Sequence, residues 1–128
     1  MKILLVDDFA DTRELYAEYL GECGYTVEEA ADGRQALDKA FATQPDVIIM
    51  DLSLPAVSGW DVIRQLKGDS RTAHIPVVAV SGHQRSGPLA GEGDGVAWDA
   101  YLTKPCLPED LLEQIRLLAP ASAAADGR

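Results

Sequence analysis

Five polar side chains stand at or just past the ends of short predicted strands, and their chemical types suit the transfer of a phosphoryl group. They are Asp7, Asp8, Asp51, Ser81 and Lys104. Carboxylates held close together repel one another, and Mg²⁺ relieves this repulsion because it binds one or two carboxylates together with water and phosphate oxygens. A carboxylate beside bound Mg²⁺ can attack phosphorus and form an acyl phosphate. The lysine and the serine hydroxyl can then meet the charge that develops on the phosphoryl oxygens.

Asp51 also has a plain structural interpretation, as a polar residue that ends a strand. The run before it, residues 47–50, is apolar without alternation, which is typical of a strand that is buried on both faces. Taken alone, this stretch does not separate the two interpretations. Three further strands that end in reactive residues favour the functional one.

The chain alternates predicted strands with predicted helices. The strands cover residues 3–6, 25–30, 47–50, 77–80 and 101–103, and the second is polar enough to lie near a sheet edge. Helices are expected over 11–23, from Asp32 to Phe41, over 58–67 and from Pro108 to Leu118, with capping pairs Asp11/Glu14 and Asp32/Gln35. Leu15, Tyr16, Tyr19, Leu20 and Cys23 form the apolar stripe of the first helix.

This alternation predicts an α/β fold with a parallel sheet and helices on both faces. In such sheets, ligands bind at the carboxyl ends of the strands. The reactive residues that end the first, third, fourth and fifth strands are therefore expected to meet at one edge.

Composition limits the class of protein. The 128 residues suffice for one domain with a real core. A net charge of −10 disfavours nonspecific binding to nucleic acid or to an anionic membrane. No apolar run approaches the about 18 residues of a membrane span, and the N-terminal run is too short for a signal peptide. Cys23 and Cys106 are predicted to be reduced core thiols of a cytoplasmic protein.

The ordered set of motifs resembles the receiver domain of bacterial two-component response regulators. The set spans nearly the whole chain. It comprises Val6-Asp7-Asp8, Met50-Asp51-Leu52 with Pro55 and Gly59, Val80-Ser81, and Tyr101-Leu102-Thr103-Lys104-Pro105. The resemblance implies a doubly wound, flavodoxin-like three-layer sandwich with five helices and a five-stranded parallel sheet of order 2-1-3-4-5. It assigns residues 1–118 to the receiver domain and leaves 119–128 as a flexible tail.

The resemblance also implies the roles of the site residues. Asp51 accepts a phosphoryl group from a phosphohistidine on a sensor kinase or phosphotransfer protein, so the chain is a signalling switch and not an enzyme. Asp8 and Asp51 bind Mg²⁺ directly, Asp7 acts largely through water, and the Ser53 backbone carbonyl completes the protein ligands. Lys104 pairs with the phosphoryl group, and Lys104–Pro105 is expected to be a cis peptide. Ser53 and His83 tune the phosphoryl lifetime, although His83 can equally face solvent.

A conformational switch follows from the same resemblance. Ser81 moves toward the phosphoryl oxygen and Tyr101 turns inward behind it. The face made by the fourth helix, the fifth strand and the fifth helix then changes shape for a protein target. Without the resemblance, Tyr101 would be read as a half-buried strand aromatic. The chain is expected to be a monomer or a weak dimer.

Residues 82–97, where the family has its fourth helix, depart from the pattern. The segment holds five glycines and a proline. An interior glycine costs a helix about 1 kcal/mol relative to alanine, and an interior proline about 3 kcal/mol. We therefore predict a short or mobile fourth helix. The alternative is a helix held by the packing of Leu89, Val96 and Trp98.

The leading interpretation is a stand-alone phosphoacceptor switch. One alternative is a receiver fragment of a larger regulator or hybrid kinase, with the tail as linker. Another is an interaction module that keeps the fold without phosphorylation, although such a module has no need for the acids, Ser81 and Lys104. A Mg²⁺-dependent phosphatase would want a second acid two residues after Asp51, where Ser53 stands.

Overall fold

The computed structural model describes residues 1–52, 54, 59–81, 99–103 and 106–118. Five strands lie within these residues: β1 (Lys2–Val6), β2 (Thr26–Ala30), β3 (Val47–Asp51), β4 (Val77–Ser81) and β5 (Ala100–Thr103). Helices α1 (Ala10–Glu22), α2 (Gly33–Thr43) and α3 (Gly59–Lys67) follow β1, β2 and β3, and a C-terminal helix (Pro108–Leu118) follows β5. The predicted fourth helix over 82–97 and the tail over 119–128 lie outside the described residues.

The five strands form one parallel sheet of order β2-β1-β3-β4-β5, as predicted. The polar strand β2 is an edge strand, whereas β3 lies at the centre and is buried at every position. Strands β1, β3 and β4 carry apolar side chains toward both faces, which explains why their sequences do not alternate.

Two apolar layers cover the faces of the sheet. One layer packs α2 and α3 against alternate residues of β1 and β3, namely Leu4, Val6, Ile48, Met50, Ala36, Ala40, Val62, Ile63 and Leu66. The other packs α1 and the C-terminal helix against the intervening residues, namely Ile3, Leu5, Val47, Ile49, Tyr16, Leu20, Leu111 and Ile115. This is the predicted three-layer sandwich. The helices cover both faces of the sheet, and the edge at the carboxyl ends of the strands remains available for the site residues.

The start of α1 differs from the prediction. The helix begins at Ala10, its N-cap is Phe9, and no side chain caps it, so the predicted Asp11/Glu14 capping pair is wrong. The Asp7 carboxylate instead accepts the Phe9 N–H at 2.9 Å, so the preceding acid closes this turn. The second predicted cap is confirmed, because the Asp32 carboxylate accepts the Gln35 N–H at 2.9 Å.

The apolar stripe of α1 is narrower than predicted. Tyr16 and Leu20 are buried, but Leu15 is 56% exposed, and Cys23 is exposed just beyond the helix end. Tyr16 and Leu20, spaced by four residues, lie on one face of α1, and the partly buried Ala17 and Tyr19 pack against the same layer. The predicted placement in the core is wrong for Cys23, which is exposed, whereas Cys106 is half-buried and packs against the layer that contains Tyr16 and Leu111.

Candidate functional site

The ends of β1 and β3 bring three carboxylates together. The two strands are parallel neighbours with Val6 opposite Met50, so Asp7 follows β1 at the level where Asp51 ends β3. Ligand oxygens of Asp7, Asp8 and Asp51 all lie within 4.8 Å of one another. Asp7 and Asp51 are each 3% exposed, whereas Asp8 is exposed. The cluster is thus closed toward the core and open toward solvent.

This carboxylate cluster fits a small divalent cation. Octahedral Mg²⁺, with metal–oxygen distances of about 2.0–2.1 Å, places its ligand oxygens roughly 3–4 Å apart. The observed spacing reaches that range with small side-chain adjustments. Buried carboxylates are costly unless cations or donors compensate them. Since Asp8 faces solvent, water has access to the remaining coordination positions.

Gly59 seats the start of α3 directly against the strand that carries Asp51. The Gly59 N–H donates to the Leu52 carbonyl at 3.3 Å. A Cβ at this position would lie 2.7 Å from the Leu52 Cα and closer still to the Asp51 carbonyl oxygen. Real Cβ atoms do not approach backbone so closely, so this contact requires glycine. The packing of α3 therefore fixes the backbone from which the Asp51 carboxylate projects.

Ser81 lies at the same edge of the sheet as the carboxylates. It is the last residue of β4 and is 4% exposed. Asp51 pairs in register with Val80, which places Ser81 one residue further along than Asp51. In β5, Thr103 pairs with Ser81. Lys104 comes directly after Thr103 in the sequence and lies outside the described residues.

Tyr101 lies on β5 opposite Ala79 and two residues before Thr103. It is half-buried and packs against the core layer that contains Ala79 and Met50. The described residues therefore include five of the predicted site residues: Asp7, Asp8, Asp51, Ser81 and Tyr101. The others, Ser53, His83, Lys104 and Pro105, lie outside the described residues.

Arg13 also belongs to this site, although sequence reasoning did not single it out. Its Nη1 donates to the Asp7 carbonyl oxygen at 2.8 Å, and its Nε donates to Glu29 Oε1 at 3.0 Å. The signal in the sequence was faint. It consists of an arginine in the first turn of the helix after the acidic pair, and an acid near the end of the neighbouring strand.

Residues 3–116 match the protein family described as the response regulator receiver domain. The chain is 38% identical over 118 residues to the DNA-binding dual master transcriptional regulator RpaA of Synechocystis, covering 91% of this chain and 48% of that protein. It therefore spans about half the length of this relative. It is 33% identical over 114 residues to the polar-differentiation response regulator DivK of Brucella anthropi, covering 89% of this chain and 92% of DivK.

Comparison with solved structures also finds receiver proteins. The chemotaxis protein CheY4 of Vibrio cholerae superimposes with a TM-score of 0.83 at 34% identity, covering 91% of this chain and 97% of that one. The receiver domain of the sensor histidine kinase PA1611 of Pseudomonas aeruginosa has a TM-score of 0.81 at 26% identity, covering 91% and 95%. That structure holds a magnesium ion in its active-site cleft.

Family match, sheet order and the acidic cluster at the carboxyl edge agree with one another. The chain belongs to the family of response regulator receiver domains, the signal-transducing domains of two-component systems.

Proposed function

We propose that Asp51 accepts a phosphoryl group from a phosphohistidine of a sensor histidine kinase or a phosphotransfer protein, and that the reaction depends on Mg²⁺. The observation that carries the proposal is the meeting of three carboxylates at the ends of β1 and β3, with Asp51 at the end of the central strand. A magnesium ion occupies the active-site cleft of the related PA1611 receiver domain.

The transfer is a displacement at phosphorus. An Asp51 carboxylate oxygen forms a bond to phosphorus, the bond from phosphorus to the donor histidine nitrogen breaks, and that nitrogen keeps the electron pair and takes up a proton. Asp7, Asp8, Asp51 and the Ser53 carbonyl would hold Mg²⁺, which supplies positive charge for the phosphoryl oxygens. Ser81 and Lys104 would contact those oxygens, with the lysine held by a cis peptide to Pro105.

Loss of the phosphoryl group by hydrolysis would set the duration of the signal. Ser53 and His83, each two residues past a site residue, would tune this lifetime through the access of water to phosphorus. The chain itself catalyses its own phosphorylation and dephosphorylation and turns over no separate substrate. We propose that the chain works in the cytoplasm, where the thiols of Cys23 and Cys106 would stay reduced.

The phosphoryl group would act on a partner surface through Ser81 and Tyr101. Both residues lie on adjacent strands, within the register that joins β4 to β5. A phosphoryl group shifts a two-state equilibrium only by its differential contacts with the two states. A hydrogen bond from Ser81 that forms in one state, with Tyr101 turned inward, would supply that difference. The target would bind the face formed by the predicted fourth helix, β5 and the C-terminal helix.

The two relatives point to different outputs. RpaA is about twice as long as the matched region, whereas DivK is matched over 92% of its length. We propose that this receiver binds a protein target or passes phosphate onward. A receiver within a longer regulator or hybrid kinase would use the same site.

The proposal is tested with acetyl phosphate, Mg²⁺ and intact mass measurement. We expect one base-labile phosphoryl adduct on the wild type and none on Asp51→Asn. The matched control is Asp38→Asn, because Asp38 is 73% exposed on α2 and contacts only Arg34 among the described ion pairs. No adduct on the wild type would favour an interaction module that works without phosphorylation. Steady release of phosphate far beyond one equivalent would favour a phosphatase.

A further inference from the structure

Hydrogen bonds hold the two peptide groups that flank Asp7, and Arg13 holds the one that joins Asp7 to Asp8. On the α1 side, Arg13 Nη1 donates to the Asp7 carbonyl oxygen at 2.8 Å. On the β2 side, the Asp7 N–H donates to the Ala30 carbonyl at 3.1 Å. The Phe9 N–H donates to Asp7 Oδ1 at 2.9 Å, which orients the carboxylate itself. The backbone from which the two acids project is therefore fixed by contacts with both α1 and β2.

Arg13 is itself held in place. Its Nε donates to Glu29 Oε1 at 3.0 Å, and its backbone N–H donates to the Phe9 carbonyl at 3.0 Å within the first turn of α1. The side chain is only 16% exposed. A planar guanidinium that bonds two fixed acceptors has little rotational freedom. Arg13 therefore links β1, β2 and α1 at the point where the acidic pair begins.

The charge of Arg13 is largely balanced by Glu29. A carboxylate at 3.0 Å from the guanidinium cancels most of its field at longer range, and the partial exposure of both side chains adds screening. The effect of Arg13 on the carboxylate cluster is therefore expected to be geometric. A lone cation there would instead repel Mg²⁺.

We propose that Arg13 is a positioning residue that sets the orientation of the Asp7–Asp8 peptide, so that both carboxylates converge with Asp51 on one Mg²⁺. The inference rests on the proposed Mg²⁺ binding. Mg²⁺ demands near-ideal octahedral geometry, so a rotated peptide would misplace two ligands at once. Groups that orient metal ligands typically change metal affinity by about 10- to 100-fold when they are removed.

The decisive variant is Arg13→Met/Glu29→Gln, which removes the contact to Asp7 and leaves the net charge unchanged. Its matched control is Arg34→Met/Asp38→Asn, an equally charge-neutral change at an exposed pair on α2 whose atoms are 4.0 Å apart. We expect the Kd for Mg²⁺, measured by titration calorimetry without any phosphodonor, to rise about tenfold in the first variant. In the control it should stay within about twofold of the wild type. Thermal unfolding without Mg²⁺ verifies that each variant is folded.

The outcomes separate this inference from the proposed function. If the wild type does not bind Mg²⁺, the proposed function fails. If the wild type binds and the Arg13→Met/Glu29→Gln variant binds equally well or more tightly, only the role of Arg13 is overturned. Should that variant not fold, Arg13→Lys takes its place, because it keeps the charge but lacks the fork that bridges Asp7 and Glu29. Its Kd should rise about threefold, and an unchanged Kd would overturn the inference.

Discussion

At the scale of single residues, the site depends on a close contact that a single carbon atom would disrupt. Gly59 packs its backbone against the Asp51 and Leu52 backbone. We predict that Gly59→Ala lowers the free energy of unfolding by about 1–3 kcal/mol, because the added methyl overpacks against atoms that cannot move aside. It should also slow phosphorylation by acetyl phosphate, since relief of the clash displaces Asp51. Chemical denaturation and intact mass against time measure the two effects.

The chain offers a control for this substitution. Gly21 lies in α1, and a Cβ there would meet no atom within 4 Å. Gly21→Ala should leave phosphorylation unchanged and leave the protein as stable or stabilise it by up to about 1 kcal/mol, because alanine favours helix. Equal behaviour of the two variants would show that the close contact at Gly59 does not constrain Asp51.

Residue chemistry also decides what the sequence can reveal about the site. Asp7, Asp8 and Asp51 are predictable because each follows an apolar strand, and parallel strands share one carboxyl edge. Arg13 is not predictable, because it bonds to a backbone carbonyl. Every residue has such an acceptor, so the residue types do not indicate which one is used. The contact depends on how α1 leaves β1, which becomes visible only in three dimensions.

At the scale of elements, helix α1 is tied to the segment that follows β5. The Tyr16 hydroxyl donates to the Cys106 carbonyl at 2.8 Å and lies 3.5 Å from its Sγ. Tyr16 is 6% exposed, and burial, with the contact to Cys106, raises the pKa of its phenol, so the hydroxyl remains a donor at neutral pH. Cys106 stands two residues after Lys104 in the sequence, so this bond fixes the backbone at Cys106 against α1.

We predict that Tyr16→Phe lowers the free energy of unfolding by about 1–3 kcal/mol, because it leaves the Cys106 carbonyl without this donor. It should also weaken phosphoryl acceptance, because Lys104, two residues before Cys106, is proposed to contact the phosphoryl group. Urea denaturation and acetyl phosphate kinetics report the two effects. Tyr25→Phe is the control, since the Tyr25 hydroxyl makes no hydrogen bond found among the described residues. If Tyr16→Phe and Tyr25→Phe lowered the free energy of unfolding equally, the bond from Tyr16 to Cys106 would have no special role in stability.

The start of β5 has its own attachment, made by Asp99. Its Oδ2 accepts the Val77 N–H at 2.8 Å and the Lys67 Nζ at 3.2 Å, which joins β4, the end of α3 and β5. Asp99→Ala should lower the free energy of unfolding by about 1–3 kcal/mol, because the Val77 N–H loses its acceptor. Amide exchange of Tyr101 and Leu102 should accelerate, since β5 is the edge strand. Asp38→Ala, at an exposed pair, should change stability by less than about 0.5 kcal/mol.

Element types and order were predictable from the sequence, whereas their ends were less so. The alternation of apolar strands with helices predicts a parallel sheet with helices on both faces, whereas the sheet order followed from the resemblance to the receiver family. The Asp32 cap held because its partner amide is local. The Asp11 cap failed because the helix begins earlier, at Ala10, so Asp11 lies inside its first turn. The capping rule therefore failed for α1, which follows a turn closed by the Asp7 side chain and has no side-chain cap of its own.

At the scale of the whole molecule, the carboxylate cluster links Mg²⁺ to the stability of the fold. The chain has a net charge of −10, and three of its acids are gathered at one sheet edge. A ligand that binds only the folded state stabilises it by about 2.7 kcal/mol when present at 100 times its Kd. We therefore predict that saturating Mg²⁺ raises the thermal midpoint and that chelation by EDTA reverses the gain.

Two comparisons separate site binding from general screening of the acidic surface. NaCl at matched ionic strength screens all exposed charges, so it should raise the midpoint less than Mg²⁺ does. Asp51→Asn removes one of the three repelling carboxylates, so without Mg²⁺ this variant should be more stable than the wild type, yet gain less when Mg²⁺ is added. Equal gains from Mg²⁺ in the variant and the wild type would mean that the ion acts away from Asp51. A wild-type gain matched by NaCl would mean that the fold responds to ionic strength alone.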